Sequence, residues 1–475
     1  MAKTLTRDLT QGSPTRLIVV FAMTMLISGL TNYIYNLTDS LMVGHFVDAT
    51  ALGAVSSVSP ILMILNNLST TVVAGFSITA GRIFGSGDHR ALRKMMASAT
   101  YLTAIIVGFI TLLSLVLCGV MIDLAQTPKE LKDGAQIYMS IIILAKPFGA
   151  PTWLLSGVFR ALGDTKTPVK IGVVNGLGNV FFNFLFLVVF PMGIAGAALG
   201  TLCSALTGSV IYLIIYKRKM QVLHFSGEDA KFSWRMSRRL LGIALPLGIE
   251  SAVTSVGSLI LQIAVNGHGY EAVTGIALGG KIMNFFWLFF STFESSLLCF
   301  CSQNIGAGRL DRVRRGVKST FFVFLGVGAA FLLLSVFGID RYIYRLFFNK
   351  ADLLLESTGV IVESAHTYFL TQMLFFVFIA MLFTWRAGLK AFGSTLPTLL
   401  CGVVELIARV TVSVFFASNL GMLYFAGPMA WVLSGIFVAI LYPIVVRGEL
   451  RRMQASKQPS QVEERNLRSD CGVIK

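Results

Sequence analysis

Runs of about 20 or more mainly apolar residues, the length a helix needs to cross a bilayer, recur about twelve times along this chain. Polar or Gly/Pro-rich breaks separate them, and they fall at roughly 16–39, 53–79, 95–121, 135–157, 169–190, 194–216, 240–265, 272–301, 317–338, 357–384, 396–418 and 426–446. Composition agrees: 55% of the 475 residues are hydrophobic and only 13% charged, with a mean hydropathy of +0.76. That excludes an ordinary soluble domain and predicts an all-α integral membrane protein of twelve transmembrane helices. The first run lacks a small-residue cleavage site behind it and is expected to be a retained helix.

The formal charge of +16 is informative through its distribution. Most Lys and Arg fall in alternate loops, densest at Lys217-Arg218-Lys219 with Arg235, Arg238 and Arg239, from Arg309 to Lys318, and in the tail from Arg447. This is a positive-inside pattern, which predicts cytoplasmic termini and a cytoplasmic (inner) membrane location; basic loops beside anionic lipid account for the charge. No groove-reading module is present, so no nucleic-acid partner is expected. Cys118, Cys203, Cys299, Cys301 and Cys401 lie in or beside apolar runs and Cys471 in the tail, which argues against a disulfide framework. The five histidines lack metal-ligand spacing, so no metal site is expected.

The two halves of the chain echo each other in the same direction. GSGDHRALRK (85–94) matches GAGRLDRVRR (306–315), FRALGDTKTP (159–168) matches LKAFGSTLPT (389–398), and VGHFVDATALG (43–53) loosely matches NGHGYEAVTGI (266–276). Six helices repeated as six helices keep their orientation, so the repeats are parallel and related about the membrane normal. The expected organisation is an N-terminus over 1–15, a first six-helix lobe over 16–216, a basic linker over 217–239, a second six-helix lobe over 240–446 and a tail over 447–475. A cavity between such lobes suits a transporter working by alternating access.

Charged and amide side chains inside the spans are the candidate functional residues, because burying them in a bilayer is costly. Asn32, Asn36 and Asp39 follow helical spacing on one face, as do Asn175, Asn179 and Asn183, with Thr201 one turn into the sixth span. If those faces meet, the first lobe holds a polar pocket with one carboxylate, suited to a proton or ion. The alternative is that the amides only tie helices together while Asp39 reaches the outer surface. Lys146, before Pro147, is either a counter-charge or a lysine at a kink reaching water. In the second lobe, Glu405 and Arg409 have the spacing of a favourable intrahelical pair. Glu250 and Lys281, from adjacent helices at similar depth, are placed to form a second pair, either a lock that breaks on proton binding or a static one, and Glu294 to line a watery vestibule; with Glu405 and Arg409 they make a second-lobe charge network or a substrate cavity. The run FFWLFF (285–290) with Phe293 either stacks flat lipophilic cations or faces lipid or packs helices.

YNLTDSLMVG in the first span, FRALGDTKTP before the fifth, MGIAGAALGT (192–201) entering the sixth and SQNIGAG (302–308) after the eighth together resemble the multidrug and toxic compound extrusion (MATE) transporters, over residues 14–446. The resemblance implies a V-shaped pair of lobes and an antiporter that exports small organic compounds, often cationic and lipophilic, against protons or sodium ions. It implies no enzyme activity and no cofactor beyond the coupling ion; the expected partners are organic substrates and membrane lipid, around a monomer. The family's first-lobe ion site maps onto Asp39, Asn179, Asn183 and Thr201. Many bacterial and archaeal members carry a second aspartate where this chain has Asn183, which makes a doubly acidic sodium cage harder to build and favours proton coupling. Glu250 follows Pro246, whereas some members place their acid where this chain has Thr254, and VELIARV (404–410) is similar to a bacterial subset. A lipid-linked oligosaccharide flippase of the same superfamily is the nearest alternative, though cations within the spans are few for a pyrophosphate cargo. A major-facilitator carrier would carry a fuller Gly/Asp/Arg pattern than GSGDHRALRK, and an enzyme would need a nucleophile-base pair or a metal cluster that the sequence lacks.

Overall fold

The computed structural model describes residues 7–47, 49–125, 127–225, 227–348 and 355–455, apart from the side chains of residues 32, 34–41, 43–45, 49, 50, 52, 221, 450 and 452–455. Hydrocarbon offers no hydrogen-bond partner to the backbone, so each span must satisfy its own amides by coiling into a helix. The first half comprises α1 (Pro14–Phe46), α2 (Ala49–Ser86), α3 (His89–Val116), α4 (Cys118–Leu124), α5 (Lys129–Ala161), α6 (Lys166–Phe184) and α7 (Gly193–Lys219). The second comprises α8 (Trp234–Asn266), α9 (Tyr270–Gly306), α10 (Leu310–Val336), α11 (Ile339–Arg345), α12 (Glu356–Leu374), α13 (Phe376–Ala391), α14 (Thr395–Phe415), α15 (Leu420–Leu423) and α16 (Ala426–Ala455). No strand occurs among the described residues. Side chains mark several starts: Asp88 accepts a hydrogen bond from the Ala91 amide at 2.8 Å and Ser233 one from the Met236 amide at 3.4 Å, satisfying donors that a first turn leaves open.

Eleven helices among the described residues are long and apolar enough to cross a bilayer, and a bent pair makes the twelfth span. That pair corrects the sequence expectation of one helix over 357–384. The chain breaks at Phe375 and turns by 54°, so that α12 follows α9 while α13 packs on α16 and α10. Gln372 holds the end of α12 by donating to the Tyr424 carbonyl at 2.7 Å.

The first lobe is centred on α2, α5 and α7, with α3 and α6 against them. A second apolar core gathers α9, α10, α12 and α13, and most of the aromatic run packs into it while Phe285 stays exposed: Phe286 and Phe290 are fully buried, Phe290 stacks on Phe324 at 4.2 Å, and Phe383 meets Phe290 edge-on at 5.7 Å. The start of α1 joins this second core through Leu17, Ile18, Phe21 and Met25, and the Ser296 hydroxyl donates to the Ile18 carbonyl at 2.8 Å. Further along, α1 packs on α6. It therefore touches both lobes.

The basic linker docks back on α3. Asp229 pairs with Arg93 at 2.7 Å and with Arg90 at 3.6 Å, and the hydrogen bond and charge of Arg93 hold its carboxyl below the usual aspartate value. A depressed value means that this contribution is complete above about pH 4 and fades as the pH falls through the lowered value. Limited trypsin digestion at neutral pH checks the docking: Asp229→Asn is expected to speed cleavage after Lys231 while leaving cuts elsewhere unchanged. Equal rates in both chains would show that the ion pair does not hold the linker.

Candidate functional site

The lobes meet most closely at the basic end, where repeat-related residues make repeat-related contacts. Alignment of 85–94 on 306–315 and of 159–168 on 389–398 makes Arg82 the counterpart of Gln303, Gly85 of Gly306, and Ala161 of Ala391. Gln303 donates through Nε2 to the Ala161 carbonyl at 2.7 Å, and Arg82 donates through Nε to the Ala391 carbonyl at 2.7 Å. A Cβ on Gly85 would collide with the Gln303 carbonyl, and one on Gly306 with the Arg82 carbonyl. Only glycine lets the two backbones approach so closely. The N-terminal segment seals the same seam: the Leu9 amide donates to Gln303 Oε1 at 2.9 Å, Arg309 reaches the Thr10 carbonyl at 2.8 Å, and Arg7 N bonds the Leu162 carbonyl at 3.0 Å.

Beyond this closure lie polar cavities. The largest of those at the lobe junction, 460 Å³, opens among α1, α2, α5, α6, α7 and α9 and is lined by residues including Ser28, Thr152, Trp153, Ser156, Arg160 and Asn175. A smaller one of 130 Å³ is lined by both Arg160 and Lys390. A third, of 340 Å³, brings Asn67 and Thr71 of α2 opposite Glu250 and Thr254 of α8.

The second lobe holds a network of six charges. Arg386 Nη1 lies 3.4 Å from Glu250 Oε1 and 3.3 Å from Glu405 Oε1, and its Nε lies 3.6 Å from Glu294. Lys390 Nζ stands 3.2 Å from Glu294 and 3.5 Å from Glu250, and Arg409 closes the set at 3.6 Å from Glu405. Three carboxylates and three cations balance, as burial demands. Arg386 also lies over the Phe383 ring at 4.8 Å, and Arg409 Nη1 donates to the Ser258 hydroxyl at 2.9 Å. Glu250 Oε2 is buried without a hydrogen-bond partner.

In the first lobe the amides of α6 face inward. Asn179 and Asn183 are fully buried, with Asn183 Nδ2 donating to Asn179 Oδ1 at 2.9 Å, and the Ser204 hydroxyl of α7 donates to Asn175 Oδ1 at 3.0 Å. Thr201 is half-buried and lines a 140 Å³ cavity with Asn175 and Lys146.

The MatE family model matches residues 24–185 and 246–415, both repeats and most of the chain. The chain belongs to the MatE family. A Bacillus subtilis (strain 168) relative named "Probable multidrug resistance protein YpnP" is 26% identical over 424 residues, covering 87% of this chain and 91% of its own. A Shewanella oneidensis relative named "FAD transporter" is 23% identical over 432 residues, covering 89% of this chain and 92% of its own. A solved MATE structure in its bent conformation superposes with a TM-score of 0.83 at 18% identity, covering 95% of this chain and all of that one (100%). The likeness is one of fold: an all-α membrane protein with two six-helix lobes in parallel repeat.

Within this MatE chain the sequence-derived candidates divide. Asn179 and Asn183 come together and Thr201 lies on the neighbouring helix, whereas the side chains of Asn32, Asn36 and Asp39 are outside the described residues. The Asp39 backbone sits inside α1, which runs on to Phe46 rather than ending at 39. Glu405 and Arg409 pair as expected. The expected Glu250–Lys281 pair does not form: Lys281 is exposed on α9, and Glu250 turns to Arg386 and Lys390 instead. The reason is packing, because α8 lies along α14 and α2 rather than along its chain neighbour α9. Glu294 lines none of the cavities described above; it joins the network with its side chain 14% exposed. Lys146 is buried at 4% exposure rather than reaching water. Arg386, Lys390 and Arg160 lie just past the ends of the apolar runs at 384 and 157, in the last turns of α13, which continues to Ala391, and of α5, which continues to Ala161. The i, i+4 spacing of Arg386 and Lys390 was the available signal.

Proposed function

We propose that this MatE chain is an antiporter that exports small organic compounds across the cytoplasmic membrane in exchange for protons, with both termini cytoplasmic, acting as a monomer without cofactor or nucleic-acid partner. The observation that carries this reading is the reciprocal closure of both repeats at the basic end beneath a 460 Å³ polar cavity at the lobe junction. Positive charge favours the cytoplasmic side, so the chain in this state is closed to the cytoplasm. The name of the Bacillus relative supports drug-like cargo, and that of the Shewanella relative supports cargo beyond simple cations.

Coupling is assigned to Asp39 with the amides of α6. Protonation of Asp39 turns it from an acceptor-only group into one that can donate, altering which packing of α1 on α6 it favours. Since α1 begins in the second lobe's core, such a change can bias the closure, provided that the two states bind the proton unequally. Asn183 in place of a second acid supports a proton over a sodium ion. A specific observation favours Glu250 as the alternative carrier: its free Oε2 belongs to a residue lining the 340 Å³ cavity between α2 and α8.

The test is substrate efflux from proteoliposomes under an imposed pH gradient or an imposed sodium gradient. The pH gradient alone is expected to drive efflux, and Asp39→Asn to abolish it in a protein that still elutes as a single species. Sodium-driven efflux would overturn proton coupling. Normal efflux by Asp39→Asn with loss in Glu250→Gln would move the role to the second lobe.

A further inference from the structure

The repeat relation that matches Ala161 with Ala391 also matches Arg160 with Lys390, yet the two cations have opposite surroundings. Lys390 stands 3.2 Å from Glu294 and 3.5 Å from Glu250. Arg160 has no carboxylate within 4.0 Å among the described residues, and the one hydrogen bond of its guanidinium there runs from Nε to the Ser156 carbonyl at 3.1 Å. Carried along α2 and α9 from the Gly85–Gly306 match, the position of Glu294 corresponds in the first lobe to Val73, a buried apolar residue. The first lobe thus keeps the cation and lacks the acid.

Nearby groups do not supply it. Asp164, one turn beyond Arg160, accepts from the Thr167 amide through Oδ1 at 3.0 Å and buries Oδ2 without a hydrogen-bond partner, and neither oxygen comes within 4.0 Å of the Arg160 guanidinium. Asp39 lies about 15 Å along α1 from Gly29, the cavity-lining residue nearest to it on that helix, at 1.5 Å of rise per residue. No acidic residue lines the 460 Å³ cavity that Arg160 faces, and the rest of its polar lining is hydroxyl, amide and indole, with Ser28, Thr152, Ser156, Asn175 and Trp153 among them. The adjoining 130 Å³ cavity adds Lys390 rather than an acid. A planar guanidinium with free donors, set among hydroxyls in a partly desolvated cavity, matches a carboxylate or phosphate, which it can engage with two parallel hydrogen bonds.

We propose that Arg160 is an anion-binding point of the first-lobe cavity and that the cargo carries a carboxylate or phosphate joined to a flat apolar body lying near Trp153. The proposal rests on the export reading and narrows its substrate class; it departs from the cationic cargo that the sequence resemblance implies.

Two xanthene dyes of opposite charge, 6-carboxyfluorescein and rhodamine 6G, separate the possibilities by fluorescence anisotropy with the full chain in a neutral detergent. The intact protein is expected to bind carboxyfluorescein more tightly, Arg160→Gln to weaken that binding at least tenfold, and Arg160→Lys to retain most of it. Rhodamine 6G should bind Arg160→Gln no more weakly than the intact chain. Unchanged carboxyfluorescein binding in Arg160→Gln overturns the proposal, as does equal weakening of both dyes in Arg160→Gln and Arg160→Lys, the mark of a structural role. Competition with a short-chain phosphatidylglycerol assigns the anionic group to a lipid if it displaces carboxyfluorescein and to a soluble organic anion if it does not; the site stands in both cases. Efflux from proteoliposomes keeps the two readings apart. Export of rhodamine 6G alone sinks this inference and leaves the exporter standing, whereas export of neither dye alongside Arg160-dependent binding of carboxyfluorescein counts against export itself.

Discussion

Replacing Arg386 by Met is expected to remove about 3–5 kcal/mol of stability, the cost of leaving buried carboxylates without their cation. The residue lies within 3.6 Å of three glutamates on α8, α9 and α14, so one deletion leaves three acids against Lys390 and Arg409. The measurement is thermal unfolding of the detergent-solubilised protein, followed by loss of the monodisperse peak. Arg386→Lys should recover part of the loss, limited by a single ammonium replacing a fork that reaches several partners. The double variant Arg386→Met with Glu405→Leu should be less damaged than the sum of its parts, since residues sharing a network do not add. If Arg386→Met melts like the intact chain, the network does not hold the second lobe together.

The second large effect concerns the closure at the basic end. Adding one methyl group at Gly306 drives it into the Arg82 carbonyl, and at Gly85 into the Gln303 carbonyl. Backbone cannot step aside as a side chain can, and overpacking of this kind costs typically about 1–3 kcal/mol. Because the cost falls on the closed arrangement of the lobes, it shifts the balance towards opening at this end by about 5- to 150-fold. Cys299, buried at the 130 Å³ cavity that Arg160 and Lys390 both line, reports the shift in a background where it is the one cysteine. Its reaction with a small maleimide is expected to accelerate in Gly306→Ala and Gly85→Ala, and to stay slow in Gly326→Ala, where a Cβ meets open space. Equal rates in all three would mean that the contact is not the closure.

Much of this architecture is written in local properties. Apolar length, the same-direction repeats of GSGDHRALRK and GAGRLDRVRR, and the motifs around Asp39 and Gln303 each depend on a short window of chain, and each led to the twelve-span, two-lobe MatE fold. Helical spacing also placed Asn175, Asn179 and Asn183 on one inward face, because the wheel of a single helix is a property of its own sequence. Local order along the chain therefore dictates which residues share a helix face and which helices repeat.

Which faces meet was decided only by tertiary structure. Glu250 and Lys281 are near in sequence and similar in depth, yet α8 turns Glu250 towards α13 and α14 while Lys281 points outward from α9. The partners Arg386 and Lys390 come from more than a hundred positions away, beyond the reach of any window. The same holds for the asymmetry between Lys390 and Arg160: the repeat makes them equivalent in the sequence, and only the packed neighbours differ, a glutamate beside one and an open polar cavity beside the other. A charge inside a bilayer protein pairs with another or faces a watery cavity, but that rule does not name the helix that supplies the partner.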